Sequence, residues 1–231
     1  IVLNDLNYNE TYDLESLTNN NTIQNLFITK VVYDKWILFV SHQNFKFEFF
    51  PTHAHDDFMS FSAFIDGNEF IIDPGRKNYL NVKNSMDYRI SNSHNVFQIN
   101  NLSIQIPMNY RHYFPKFYRF FNSNAIFKKN KKNIEIKIKS DSFKRFNKFS
   151  IKEIIRKITI SKESIFITDE IYGLGIANFS NQIIFHPNVG YNDKDLFLAG
   201  SKIKFKLLNN KFIKSNVFYS KTYSIENKSF E

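Results

Sequence analysis

The chain has 231 residues, of which 42% are apolar, which is enough to bury a core in one large domain. It has no cysteine, so disulfides and thiolate metal sites are excluded while the compartment stays open. No apolar run approaches the length of a membrane span, and the formal net charge is +9.

The first residue is Ile, and no signal-like segment follows it, so the chain reads as a piece of a longer protein. The 27 Phe and 12 Tyr, with many Ile, favour strands, because aromatic and β-branched side chains pack well on a pleated surface. The charge is uneven: from Arg111 to Ile160 there are 15 Lys and Arg against three acids. Such a segment attracts polyanions, or forms a solvated hairpin in which Ile134, Ile136 and Ile138 alternate with Glu135, Lys137 and Lys139 beside the turn Lys128–Lys132.

Residues 1–22 are polar and Asn-rich and are expected to be a linker or the exit from a preceding domain; residues 23–231 form the domain proper. Strand-like segments follow at 23–29, 31–40 and 45–50. Those at 59–65 and 69–72 are joined by Asp66-Gly67-Asn68, a strong hairpin signal. Next come 96–99 and 103–106 around Asn100-Asn101, then 133–139, 150–161 and 164–169. The last segments are 182–186, 202–208, 211–217 and, more weakly, 221–225. A helical alternative exists for Lys144–Lys157. Many short strands without intervening helices predict an all-β, antiparallel two-sheet β-sandwich.

The densest chemistry is Pro51-Thr52-His53-Ala54-His55-Asp56-Asp57. Two His at i and i+2 on an extended segment share a face. Downstream lie Asp73-Pro74-Gly75, where a carboxylate at a strand end meets a forced turn, and Ser93-His94-Asn95. Imidazoles plus one carboxylate suit a divalent ion with an open position for water, zinc before calcium. Hydrogen-bonded histidines at a sandwich edge would give the same spacing. His186 precedes Pro187 and reads as a strand-end residue, while His42 and His112 have no partners at useful spacing.

The order His53-Ala54-His55-Asp56-Asp57-Phe58-Met59-Ser60-Phe61, Asp66-Gly67, Asp73-Pro74-Gly75, Tyr79, Arg89 and Ser93-His94-Asn95-Val96 resembles the heparinase II/III-like domain. Arg156-Lys157-Ile158, Ile167–Gly173 and Phe185-His186-Pro187 resemble its later strands, so the likeness runs from about Ile23 to Leu208. The resemblance implies a supersandwich-like domain that follows an α/α-toroid, with the cleft between them, in a lyase that cleaves uronate-containing polysaccharide by β-elimination. It implies His55, Asp73 and His94 as metal ligands, and His53 as the cleft histidine that meets the uronate or moves a proton. Tyr79 matches the sandwich-borne acid or base, with Tyr88 as a second candidate. Arg89 could grip a carboxylate bidentately, and Arg76, with Lys77, could bind an acidic sugar.

The toroid, which in this family supplies an Asn that neutralises the uronate and a Tyr, is absent, so the isolated chain is expected to have little lyase activity. The expected partners are an acidic polysaccharide and that toroid, with no nucleic acid and no membrane span. The location stays open, with periplasmic or secreted favoured and cytoplasmic as the alternative. Three other readings compete: a carbohydrate-binding or polysaccharide-biosynthesis domain of the same fold, a cupin-type oxygenase, and a nucleic-acid binder. A cupin would carry a Glu shortly after its His pair, whereas Asp56 and Asp57 follow here. The basic segment contains no recognised nucleic-acid module.

Overall fold

A computed structural model describes residues 22–24, 28–42, 55–74, 90–100, 102, 123–145, 150–174, 178–192, 195–198, 201–204, 216–219 and 227–230. Apart from the 3-10 turns Ser91–Ser93 and Ser142–Arg145, the regular elements among them are all strands. The first sheet runs in sequential antiparallel order through β1 (Thr22–Gln24), β2 (Ile28–Tyr33), β3 (Trp36–Ser41), β4 (Phe61–Ile65) and β5 (Asn68–Ile71). The short β6 (Phe97–Ile99) follows. The second sheet is the meander β7 (Ser123–Lys129), β8 (Asn133–Ser140), β9 (Ile151–Ser161) and β10 (Ile165–Gly173). Then β11 (Phe179–Asn181) pairs with β6. The antiparallel set β12 (Gly190–Asn192), β13 (Asp195–Leu198), β14 (Ser201–Lys204) and the pair β15 (Asn216–Tyr219), β16 (Asn227–Phe230) complete the described strands.

The two main sheets face each other across one core, as the sequence predicts. Val31, Leu38, Val40, Phe61 and Ala63 come from one side and Ile134, Ile136, Ile138, Ile154, Ile158 and Ile160 from the other; all are buried in a single cluster. Period-2 alternation explains this: β8 has inward Ile at 134, 136 and 138, and Glu135, Lys137 and Lys139 on the outside. Part of the basic segment is therefore the solvated hairpin β7–β8, with its turn lysines exposed. On the outer face Lys139 pairs with Glu153 at 3.5 Å, and Lys157 pairs with Glu170. Leu38→Ala would remove a fully buried side chain and leave a cavity. Urea denaturation should show a loss of about 3 kcal/mol.

Turn chemistry sets the strand ends. Asp66 (φ 49°) and Gly67 (φ 78°) are both left-handed, and Ile65 pairs with Asn68 across them, so the predicted hairpin forms with a two-residue turn and Asn68 inside β5. The run 31–40 is two strands instead of one. Asp34 (φ 53°) turns the chain, and its carboxylate accepts a hydrogen bond from the Lys35 N–H. At this end of the sandwich the Trp36 indole N–H donates to the Lys162 carbonyl at 3.3 Å, joining the β2–β3 turn to the β9–β10 turn.

The helical alternative for 144–157 is replaced by the 3-10 turn and the 11-residue strand β9, which is paired on both sides. β10 runs on to Gly173, where a Cβ would lie 2.4 Å from the Ser150 carbonyl oxygen. The predicted strand 182–186 is reduced to a bridge between Phe185 and Ile71, because the Ile184 N–H donates to the Asn95 side chain and Pro187 follows. The predicted strands 45–50 and 103–106 lie outside the described residues.

Candidate metal centre at the sandwich edge

Hairpin β4–β5 brings the chain entering β4 beside the chain leaving β5. His55 sits on the entering side, ahead of a tight turn in which Ser60 N–H bonds to the Asp57 carbonyl and Met59 N–H to the Ser41 carbonyl. Asp73 sits on the leaving side, two residues past β5. His94 follows the Ser91–Ser93 turn, which ends in extended backbone leading to β6.

The next residue, Asn95, is fully buried and fastens these three segments together. Its side-chain N–H groups donate to the carbonyls of Phe61 (2.8 Å) and Ile72 (2.7 Å). Its side-chain oxygen accepts from Ile184 N–H (2.6 Å), and its own N–H donates to Ser60 Oγ (3.1 Å). Ser91 Oγ adds a bond to buried Asp56.

His94 Nδ1 lies 2.8 Å from Asp73 Oδ2, and the rings of His94 and His55 are 5.2 Å apart. His94 is 1% exposed, and its Nε2 has no hydrogen-bond partner among the described residues. Burial lowers the affinity of this imidazole for a proton. The charge and hydrogen bond of Asp73, with Asp57 and Asp56 nearby, outweigh that and push the pKa up to about 9. Half-buried Asp57 is pushed up to about 6, chiefly by desolvation; His94 opposes the rise, and Asp73 adds to it.

The predicted ligands His55, Asp73 and His94 are thus neighbours on one edge. Among the described residues, no three His, Cys, Asp or Glu side chains already converge as a ligand set, since Asp73 faces His94 Nδ1 directly. The donor set still fits a divalent ion on one observation. Buried imidazole nitrogens are normally partnered, and His94 Nε2 is a buried, partnerless nitrogen beside a second imidazole. A carboxylate on the other ring nitrogen is the usual way to hold a ligating histidine in orientation.

His53, Arg76, Tyr79, Tyr88 and Arg89 lie outside the described residues. His42 does have a partner: it is buried, with Thr29 Oγ1 2.8 Å from its Nε2. His186 lies 3.5 Å from Glu69 and accepts Asn188 N–H at Nδ1, as a strand-end residue can.

Sequence reasoning placed Arg156 on a strand resembling the family but gave it no role. It is completely buried on β9 opposite Asp169 of β10, inside a strand whose other inward positions are Ile. The signal was there: a turn at 162–163 sets residue 156 opposite 169, so an Arg and an Asp share one inward-facing pair.

The fold recurs in solved structures. A heparan sulfate lyase HepC from Pedobacter heparinus superposes with a TM-score of 0.68 at 14% identity, over 92% of this chain and 33% of that one. A heparinase III, the BT4657 gene product, gives 0.67 at 15% identity over 90% and 32%. A further heparinase III gives 0.65 at 13% identity over 91% and 33%. The chain therefore spans about a third of the length of these proteins. A search of curated protein sequences finds no match. Residues 23–228 match the family described as "Heparinase II/III-like, C-terminal", and the chain belongs to that family.

Proposed function

We propose that this domain forms one wall of the cleft of a polysaccharide lyase that cleaves uronate-containing polymers by β-elimination. The observation that carries the reading is the family match across 23–228. The edge cluster His55, Asp73 and His94 supports it.

In the reaction a base takes the C5 proton of the uronate, the C4–O glycosidic bond breaks, a C4=C5 double bond forms, and an acid protonates the leaving oxygen. His53, two residues before His55, is the proposed histidine at the uronate, and Tyr79 the proposed acid or base. Arg89, Tyr88 and Arg76 are the proposed sugar contacts.

With Asp73 fixing His94 from its other ring nitrogen, His55 and His94 would hold a divalent ion, zinc first. Its chemistry would be to stiffen the loop edge, since fixed ligands fix their neighbours. His55 then orients the segment that carries His53. Asp73 keeps the His94 Nδ1 proton in place, which leaves Nε2 as the coordinating atom.

Two measurements on the full-length protein test this. Zinc titration should show one site in the wild type and a loss of ~100-fold or more in affinity in His94→Ala; ligand loss should exceed the 10- to 100-fold typical of supporting residues. Incubation with heparan sulfate or alginate should give the ultraviolet absorbance of an unsaturated uronate, and His53→Ala should abolish it. Polymer binding without that product would replace the lyase with a carbohydrate-binding domain. A folded protein that takes up no divalent ion would remove the metal.

A further inference from the structure

We propose that Arg156 is the positioning residue of this site: its guanidinium, bonded at once to the backbone carbonyls of Met59 and Asn95, locks the loop that carries His55 against the segment that carries His94. The proposal rests on the site reading above, but its geometry stands on hydrogen bonds that involve none of His55, Asp73 and His94. Nη1 donates to Met59 O at 2.8 Å and to Asn95 O at 2.5 Å. Nε and Nη2 donate to the two oxygens of Asp169 at 2.7 and 2.8 Å, and Nη2 also to Asn181 Oδ1 at 3.1 Å. A guanidinium has five N–H donors, and these contacts use all five. Its face is clasped by Phe97 (5.4 Å) and Phe61 (5.9 Å).

Two facts make this more than core stabilisation. First, a buried ion pair is a poor way to stabilise a sandwich, because desolvation consumes most of its Coulombic gain and apolar residues of similar volume often do as well or better. Ile154, Ile158 and Ile160 show what the neighbouring inward positions of β9 hold. An arginine here does something Ile cannot: it fixes two carbonyls from different segments to one planar group. Second, Met59 has φ 69°, a left-handed conformation that L-residues other than Asn and Asp rarely take. Such strain persists when the surroundings hold it and is commonest near functional sites. The carbonyl of this strained residue is one that Arg156 holds, four residues after His55. The other belongs to Asn95, the immediate neighbour of His94.

Lysine cannot substitute, since its ammonium has three donors on one point charge and reaches at most three of the five acceptors. The test uses the native protein with three variants: Arg156→Lys, the apolar pair Arg156→Met/Asp169→Leu, and Leu38→Ala as a control destabilised away from the site. Two properties are read on folded protein: zinc affinity by chelator competition, and the NMR resonance of the His94 Nδ1 proton that faces Asp73. The expected result is that both Arg156 variants weaken zinc binding by tenfold or more and shift or lose the His94 resonance, while Leu38→Ala leaves both at wild-type values. Wild-type affinity and resonance in either folded Arg156 variant would overturn the proposal, as would equal changes in Leu38→Ala. If the apolar pair fails to fold, Arg156→Lys decides alone. If the wild type takes up no zinc, the metal reading has failed, and the His94 resonance still decides whether Arg156 positions the site.

Discussion

Asp169→Ala should destabilise the protein by about 3–5 kcal/mol, measured as a fall in the urea midpoint at an unchanged slope. The carboxylate is 3% exposed and takes the Nε and Nη2 donors of Arg156 together with Asn181 Nδ2. Removing it leaves a guanidinium at zero exposure without its counter-charge. The loss should exceed that of Leu38→Ala, because an uncompensated buried charge costs more than a cavity of a few methylenes. The pair Arg156→Met/Asp169→Leu should recover much of the loss, because both charges leave together. The carbonyls of Met59 and Asn95 would still lack their donor, so recovery should be incomplete. A pair variant as unstable as Asp169→Ala would show that the hydrogen bonds, and not the charge, dominate.

Asn95→Ala should cost about 4 kcal/mol. It strips the carbonyls of Phe61 and Ile72 and the N–H of Ile184 of their side-chain partner, and each buried group left unsatisfied costs roughly 1–3 kcal/mol. Asn95→Asp is the informative companion. It keeps an acceptor for Ile184 N–H but points a carboxylate oxygen at two carbonyl oxygens, so it should be at least as damaging as Ala despite being nearly isosteric. Thermal unfolding of the three proteins gives the order. An Asn95→Asp protein as stable as the wild type would mean that the amide is rotated and the bonds run otherwise.

The parts legible in the sequence are those set by local rules. Alternation in 133–139 gives β8 and its inward Ile face directly, and Asp66-Gly67 gives the hairpin that brings His55 and Asp73 to one edge. His55, Asp73 and His94, which the sequence singles out, are neighbours because hairpin β4–β5 and the Ser91–Ser93 turn bring their three segments to one edge. Arg156 was given no role because reading a strand by its apolar residues takes a lone charged residue as outward-facing. Its partners, Met59 and Asn95, lie 97 and 61 residues away in sequence, and spacing carries no information about them. The division of 31–40 was missed because Asp34-Lys35 is a polar pair without glycine, and the turn depends on Asp34 adopting a left-handed backbone. The bridge at Phe185 replaced a strand because a side chain, Asn95, took the backbone donor that a ladder would have used.

The chain has one tryptophan, and the fold buries it at the opposite end of β4 from Met59. Trp36 pairs with Ile65, so roughly 13 Å of strand separates it from Phe61 at ~3.3 Å per residue. Its indole emission is therefore an optical gauge of whether the two sheets stay closed at the end remote from the histidines. A variant that loosens the His94 edge while the indole stays blue-shifted has come apart at one end only. The domain carries its own internal reference for telling a local opening from a global one.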